Sequence, residues 1–314
     1  MTSAADDGDN KLMEPLALSI VIAMHDDARA IVLCLSALEA QLDRRRSEII
    51  LATCCSSAWR ASLAQDFPNV TLLHFDTPLT LPYLRGRAIA CSRGAVIAVL
   101  DPCSIPAPHW AQLLLQAHVE RTNAVIGGTV DLYEGDSASL MTWATYLNEY
   151  GGFMPPRASG PVAILPGSNL SYKRGALGNL QQYTRLGFWK TFVNQELKES
   201  GDPLWLTSSL TIMLFKPIAF SDFLWSRYHH GRCYAAMRVE CAPASERLWR
   251  TLSAPLLPMA FLMRQLRHGL PNKRLRRKLL LTLPLQVILF VVWAFGELCG
   301  YALGEGGSSR HLVY

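Results

Sequence analysis

The chain has 314 residues, 50 % of them hydrophobic and 18 % charged, with a formal net charge of +5. That length and apolar content exclude a disordered protein and allow one large domain or two modest ones. Seven Lys or Arg residues fall between Arg264 and Lys278, so the remainder of the chain is close to neutral and no nucleic-acid partner is expected.

Residues 1–15 are polar and acidic, with no positive flank leading into an apolar core, and read as a disordered tail rather than a secretory signal. Leu16 to Met24 then predicts a strand, and Ala28 to Leu42 carries apolar residues at helical spacing. Strands follow at Ser47 to Thr53 and Val70 to Phe75, with helices expected at Ala58 to Asp66 and Tyr83 to Ser92. Val96 to Leu100 is an unbroken apolar run bounded by Gly94 and Pro102, the pattern of a strand buried on both faces. A helix beginning at Pro106 and running to Arg121, and a strand at Ala124 to Val130, complete an alternation that indicates parallel βαβ units.

Asp101 stands at the carboxyl end of the Val96–Leu100 run. In open α/β sheets ligands bind along that edge, which makes the carboxylate a candidate site residue; an Asp before Pro is equally suited to capping a turn. From about Asp131 the alternation fades into aromatic and Gly/Pro-rich stretches such as "YLNEYGGFMPP" and "ILPGSNLSYKRGAL", which read as loops and short elements forming a second wall. Trp143, Tyr146, Tyr150 and Phe153 form a stripe at helical spacing that suits a core better than sugar stacking. His229 and His230 lack a Cys, Asp or Glu companion at a ligand spacing and read as a surface or membrane-proximal turn. The eight cysteines show no Cys-x-x-Cys pair and read as reduced core residues.

Leu279 to Gly296 contains no charged residue and is long enough to cross a bilayer. Pro284, Gln286 and Glu297 oppose that reading, and a buried amphipathic or re-entrant helix is the alternative. The basic cluster before it places its near side in the cytoplasm. Leu252 to Met263 is apolar but too short to span, and is expected in the interface plane.

The order of these elements, with "LSIVIAMHDDARAIVLCLSAL", "LRGRAIACSRGAVIAVLDPCSIPAPHW", "AVIGGTVDLY" and "LPGSNLSYKRGAL", resembles the family 2 glycosyltransferases of the GT-A fold over roughly Leu18 to Arg238. The resemblance implies an α/β fold with a Rossmann-like, mostly parallel sheet flanked by helices, followed by a C-terminal membrane-associated helical segment. It divides the chain into a nucleotide-sugar-binding half (16–130), an acceptor-side half (131–240) and a membrane-associated segment (241–314) with a transmembrane helix at about 279–303.

It also implies a set of site residues. The turn that borders the nucleotide falls on Ala23, Met24, His25 and Asp26. The turn that ordinarily carries a base-binding Asp falls on Thr53, Cys54, Cys55 and Ser56, leaving Cys55 as the nearest nucleotide contact. The Asp-x-Asp motif that holds a divalent cation falls on Asp101, Pro102 and Cys103, and only its first carboxylate is present. The position of the catalytic base falls on Lys190 in "GFWKTFVNQELKESG", with Glu196 six residues on as a substitute. Ser168 and Asn169 either border the acceptor or form a plain turn. Arg85 and Arg87 either line a solvated helix face or, with Lys190, neutralise the diphosphate.

The function expected from these residues is transfer of a sugar from a nucleotide-sugar donor, with Mg²⁺ or Mn²⁺ held weakly by Asp101, to a glycan or lipid-linked acceptor. The setting would be cell-surface polysaccharide synthesis at the bacterial inner membrane, with the transferase domain on the cytoplasmic side. The altered motifs keep a second class open: a catalytically inactive scaffold or regulatory subunit of a polysaccharide assembly complex.

Overall fold

The computed structural model describes residues 16–25, 29–133, 137–215 and 219–311. Asp26 and the 1–15 tail lie outside the described residues. The first half alternates as its hydrophobic pattern dictates: β1 (Leu18–Met24), α1 (Arg29–Glu39), β2 (Ser47–Thr53), α2 (Ser57–Asp66), β3 (Val70–His74), α3 (Leu81–Cys91) and β4 (Val96–Leu100). β1 and β4 are wholly buried because both lie inside the sheet with helices over them. β1 pairs in parallel with β2 on one side and with β4 on the other, Val21 lying opposite Ile50 and Val99.

The chain continues through β5 (Ser104–Pro106), α4 (Trp110–Glu120), β6 (Val125–Leu132), α5 (Leu140–Tyr150), β7 (Gly160–Pro161), β8 (Asn169–Lys173), α6 (Tyr183–Leu186), α7 (Lys190–Glu199) and β9 (Trp205–Leu214). All strands join one nine-stranded sheet of order β3-β2-β1-β4-β8-β6-β9-β5, with β7 on β9. The β3-β2-β1-β4 side is parallel, whereas β8 runs antiparallel to both neighbours, so the sheet as a whole is mixed.

Pro106 does not begin a helix. Ser104 to Pro106 pair antiparallel with β9 as an edge strand, where a proline costs no ladder bond on its open side, and the helix starts at Trp110. Beyond Asp131 the chain is more regular than its composition suggests. β8 inserts between β4 and β6, and Asn169 locks the joint: its Nδ2 donates to the Thr129 and Leu210 carbonyls at 3.0 and 2.9 Å, and its Oδ1 accepts from Trp110 Nε1 at 3.1 Å. Trp143, Tyr146, Tyr150 and Phe153 are buried, and the Tyr146 hydroxyl donates to the Val130 carbonyl at 2.7 Å.

Four further helices form the C-terminal part: α8 (Phe220–Arg238), α9 (Ala244–Ser253), α10 (Leu257–Gly269) and α11 (Lys273–Leu303). His229 and His230 therefore lie within a helix rather than in a turn. The helix carries them because α11 packs along it; the His229 ring stacks on His311 at 4.5 Å and its Nδ1 meets Ser308 Oγ at 3.0 Å. α11 and α8 approach at glycines: a Cβ on Gly296 would lie 2.3 Å from the Tyr228 carbonyl oxygen, and one on Gly231 would lie 2.6 Å from that of Trp293.

The polar residues of α11 face inward. Thr282, Gln286 and Glu297 are buried; Gln286 Nε2 donates to Thr282 Oγ1 at 2.9 Å, and Glu297 accepts from Trp293 Nε1 and, at 2.7 Å, from the Tyr301 hydroxyl. Leu280, Leu281, Ile288, Val291 and Phe295 are exposed. Leu252, Leu256, Met259 and Met263, from the interfacial patch read in the sequence, are exposed as well.

Candidate active site

The carboxyl edge of the sheet is assembled by a close contact between α3 and the segment before α7. Gly86 in α3 has no room for a side chain, since a Cβ there would lie 2.0 Å from the Tyr183 carbonyl oxygen. α6 therefore closes directly over α3, and Phe188 N–H donates to the Pro82 carbonyl at 2.7 Å. Phe188 packs edge-on to Tyr172 and Tyr183, fixing the entry into α7. Lys190, the first residue of α7, is thereby brought beside Arg85.

Both cations converge on Asp101. Lys190 Nζ lies 2.7 Å from Asp101 Oδ1 and also donates to the Gly167 carbonyl; Arg85 Nη2 donates to the same Oδ1 at 3.2 Å. The three side chains retain 7–10 % exposure. Burial, followed by the neighbouring Arg85 guanidinium, pulls Lys190 from its ordinary 10.5 down to about 8, against the attraction of Asp101. One carboxylate thus faces two cations. An ammonium at a helix N-terminus also opposes the helix dipole.

The remaining residues divide into those the fold brings to this edge and those it does not. His25 and Cys55 meet after β1 and β2, where Cys55 Sγ donates to the His25 carbonyl at 2.9 Å. Cys103 is buried two residues beyond Asp101. Ala23 is buried within β1, paired with Ala52, so its side chain serves the core. Ser168 adjoins Gly167 and is fully buried, whereas the Asn169 amide is committed to the sheet joint. Arg87 is exposed, being two residues from Arg85 and on another face of α3. Glu196 is exposed on α7, away from the inward side that carries Val193 and Leu197, so the fold does not bring it to Asp101.

Two participants carried no signal in the sequence. Cys34 sits among Ile31, Leu35 and Leu38 and reads as ordinary helix core, yet its thiol is pushed up by burial and by its neighbours Cys103 and Asp101. Gly167 contributes only a carbonyl oxygen.

The donor set does not suit a divalent cation. Mg²⁺ and Mn²⁺ favour several hard oxygen ligands, and Asp101 Oδ1 is already held by an ammonium and a guanidinium, with the soft Cys103 in the second motif position. Among the described residues no three His, Cys, Asp or Glu side chains gather as a metal cluster.

The model of glycosyl transferase family 2 matches residues 19–180, just over half the chain, a span that includes Arg85 and Asp101 and ends before Lys190. The chain belongs to that family. Among solved structures, it resembles the mannosyltransferase PcManGT from Pyrobaculum calidifontis, in complex with GDP-Man and Mn²⁺, with a TM-score of 0.58 and 13 % identity over 90 % of this chain and 89 % of that one. It also resembles S. aureus TarS 1-349, with a TM-score of 0.50 and 12 % identity over 86 % and 79 % of the two chains. At these identities the likeness establishes the GT-A fold. No curated protein sequence matches the chain.

Proposed function

We propose that this family member uses a nucleotide-sugar donor and transfers the sugar to a hydroxyl of a glycan or lipid-linked acceptor, at the cytoplasmic face of a membrane. The observation that carries the reading is the buried Arg85–Asp101–Lys190 cluster at the carboxyl end of β4, the edge of an open α/β sheet along which ligands bind. Residues 16–130 would hold the donor, its base against the His25 and Cys55 turns and its diphosphate at the cluster. Residues 131–240 would form the acceptor side.

Membrane attachment is proposed through residues 241–314, by the outward apolar face of α11 together with Leu252, Leu256, Met259 and Met263. An in-plane placement is favoured over a span. A spanning α11 would carry into the bilayer the α8 residues packed beside it, among them Arg227, His230 and Arg232. The exposed Arg267, Lys273, Arg276 and Arg277 would then face anionic headgroups.

A second reading, a donor-binding scaffold without transferase activity, is favoured by Lys190 at the base position and by the exposure of Glu196. Calorimetry of UDP- and GDP-sugars with the detergent-solubilised full chain, followed by a donor-hydrolysis assay, separates the two. Binding with turnover supports the transferase, binding without turnover supports the scaffold, and absence of binding by every donor rejects both.

A further inference from the structure

We propose that the Lys190 ammonium, with the Arg85 guanidinium, takes the place of a divalent cation in this site, so that the diphosphate of a nucleotide is bound without metal. The inference rests on the donor-binding reading and specifies how the diphosphate is held.

Three observations support it. The first is charge: among the described residues joined by these ion pairs, Asp101 contributes one negative charge and Arg85 and Lys190 two positive ones, an excess cation to pair with an incoming anion. The second is occupancy. Lys190 Nζ stands 2.7 Å from Asp101 Oδ1, one of the two oxygens with which the carboxylate could bind a metal ion, and Arg85 shares that oxygen. The third is unspent donor capacity. Arg85 Nε and Ser168 Oγ are buried without a hydrogen-bond partner among the described residues, and both adjoin the cluster, Ser168 through Gly167. A buried donor without a partner is costly, and phosphate oxygens are strong acceptors that relieve that cost. A guanidinium and an ammonium together supply the forked and point-charge contacts that phosphate groups accept.

The test is calorimetric binding of UDP, GDP and inorganic pyrophosphate to the full chain in detergent, once with EDTA and once with added Mn²⁺. The wild type should bind at least one nucleoside diphosphate with nearly equal affinity in both conditions. Lys190→Met and Arg85→Met should each weaken binding by roughly 10- to 100-fold in EDTA, the loss expected for a charged hydrogen bond. Lys190→Arg retains the charge and should stay within a few-fold of wild type, which separates loss of the cation from loss of the fold. Wild-type binding that EDTA abolishes and Mn²⁺ restores would overturn metal replacement while leaving the donor reading intact. Equal affinity of Lys190→Met and wild type would also overturn it. Binding of no nucleotide in either condition would reject the donor reading and the inference with it.

Discussion

Lys190 and Asp101, 89 residues apart in sequence, meet at 2.7 Å at the end of β4, where the ammonium of one helix start is neutralised by the carboxylate of one strand end. Removing one partner of a buried ion pair leaves an uncompensated charge, whereas removing both can be nearly neutral. Asp101→Asn strands two cations and is expected to cost about 3–5 kcal/mol. Lys190→Met leaves the Arg85–Asp101 pair and should cost less. The double substitution should regain part of the Asp101→Asn loss, as read from denaturation midpoints of the four proteins in detergent.

His118 provides a pH prediction away from the cluster. Its Nε2 lies 2.8 Å from Ser171 Oγ, which itself donates to the Ile126 carbonyl at 3.0 Å, so the ring must be the donor and the Nε2–H tautomer is fixed. Burial, aided by the charge of Lys173, holds the ring down at about 4 against 6.5 unfolded. Between these values the unfolded chain binds a proton that the folded chain does not. Stability is therefore complete above pH 6.5 and falls as the pH drops towards 4, by up to about 3 kcal/mol. His118→Gln should flatten that part of the profile in urea titrations across pH 4–7.

The helix crossing makes a steric prediction. Gly296→Val places a Cβ 2.3 Å from the Tyr228 carbonyl oxygen, a backbone atom that cannot swing aside. Overpacking of this kind typically costs about 1–3 kcal/mol. α11 should become susceptible to limited proteolysis in this variant, while Ala substitution of the exposed Leu303 should leave the digestion pattern unchanged.

The membrane proposal can be tested on one helix face. Val291 and Phe295 are exposed one turn apart on α11, whereas Gln286 is buried. Val291→Asp with Phe295→Asp should reduce flotation with anionic vesicles at least about tenfold, since each carboxylate would enter the apolar layer. Gln286→Leu should leave flotation unchanged. For in-plane attachment, tags at the two termini should be digested from the same side of sealed vesicles; digestion from opposite sides would establish a span.

Much of the donor half was legible because its signals are local. Val96 to Leu100 is an apolar run that buries itself, and the carboxylate after it necessarily stands on the ligand edge. Matching Lys190 to the base position located a residue that the fold does bring to Asp101. The second half was less legible because its order is set by distant pairings: β8 becomes a strand by fitting between β4 and β6, and Ser104–Pro106 by meeting β9. α8 has no sustained apolar stripe, since it meets α11 through glycine approaches and through Arg227, Tyr228, His230 and Tyr234 against Trp293 and Phe295 rather than through aliphatic side chains. Nothing in the spacing of Cys34 distinguishes a thiol beside Asp101 from one in plain core.

Arg274, in the first turn of α11, donates to Asp131 at 2.9 Å, and Asp131 lies near the carboxyl end of β6, on the same edge of the sheet as Asp101. If α11 rests in lipid as proposed, this tether would set the height of the Asp101 edge of the sheet above the bilayer. On the proposed function, only an acceptor hydroxyl carried at that height above the lipid would reach Asp101.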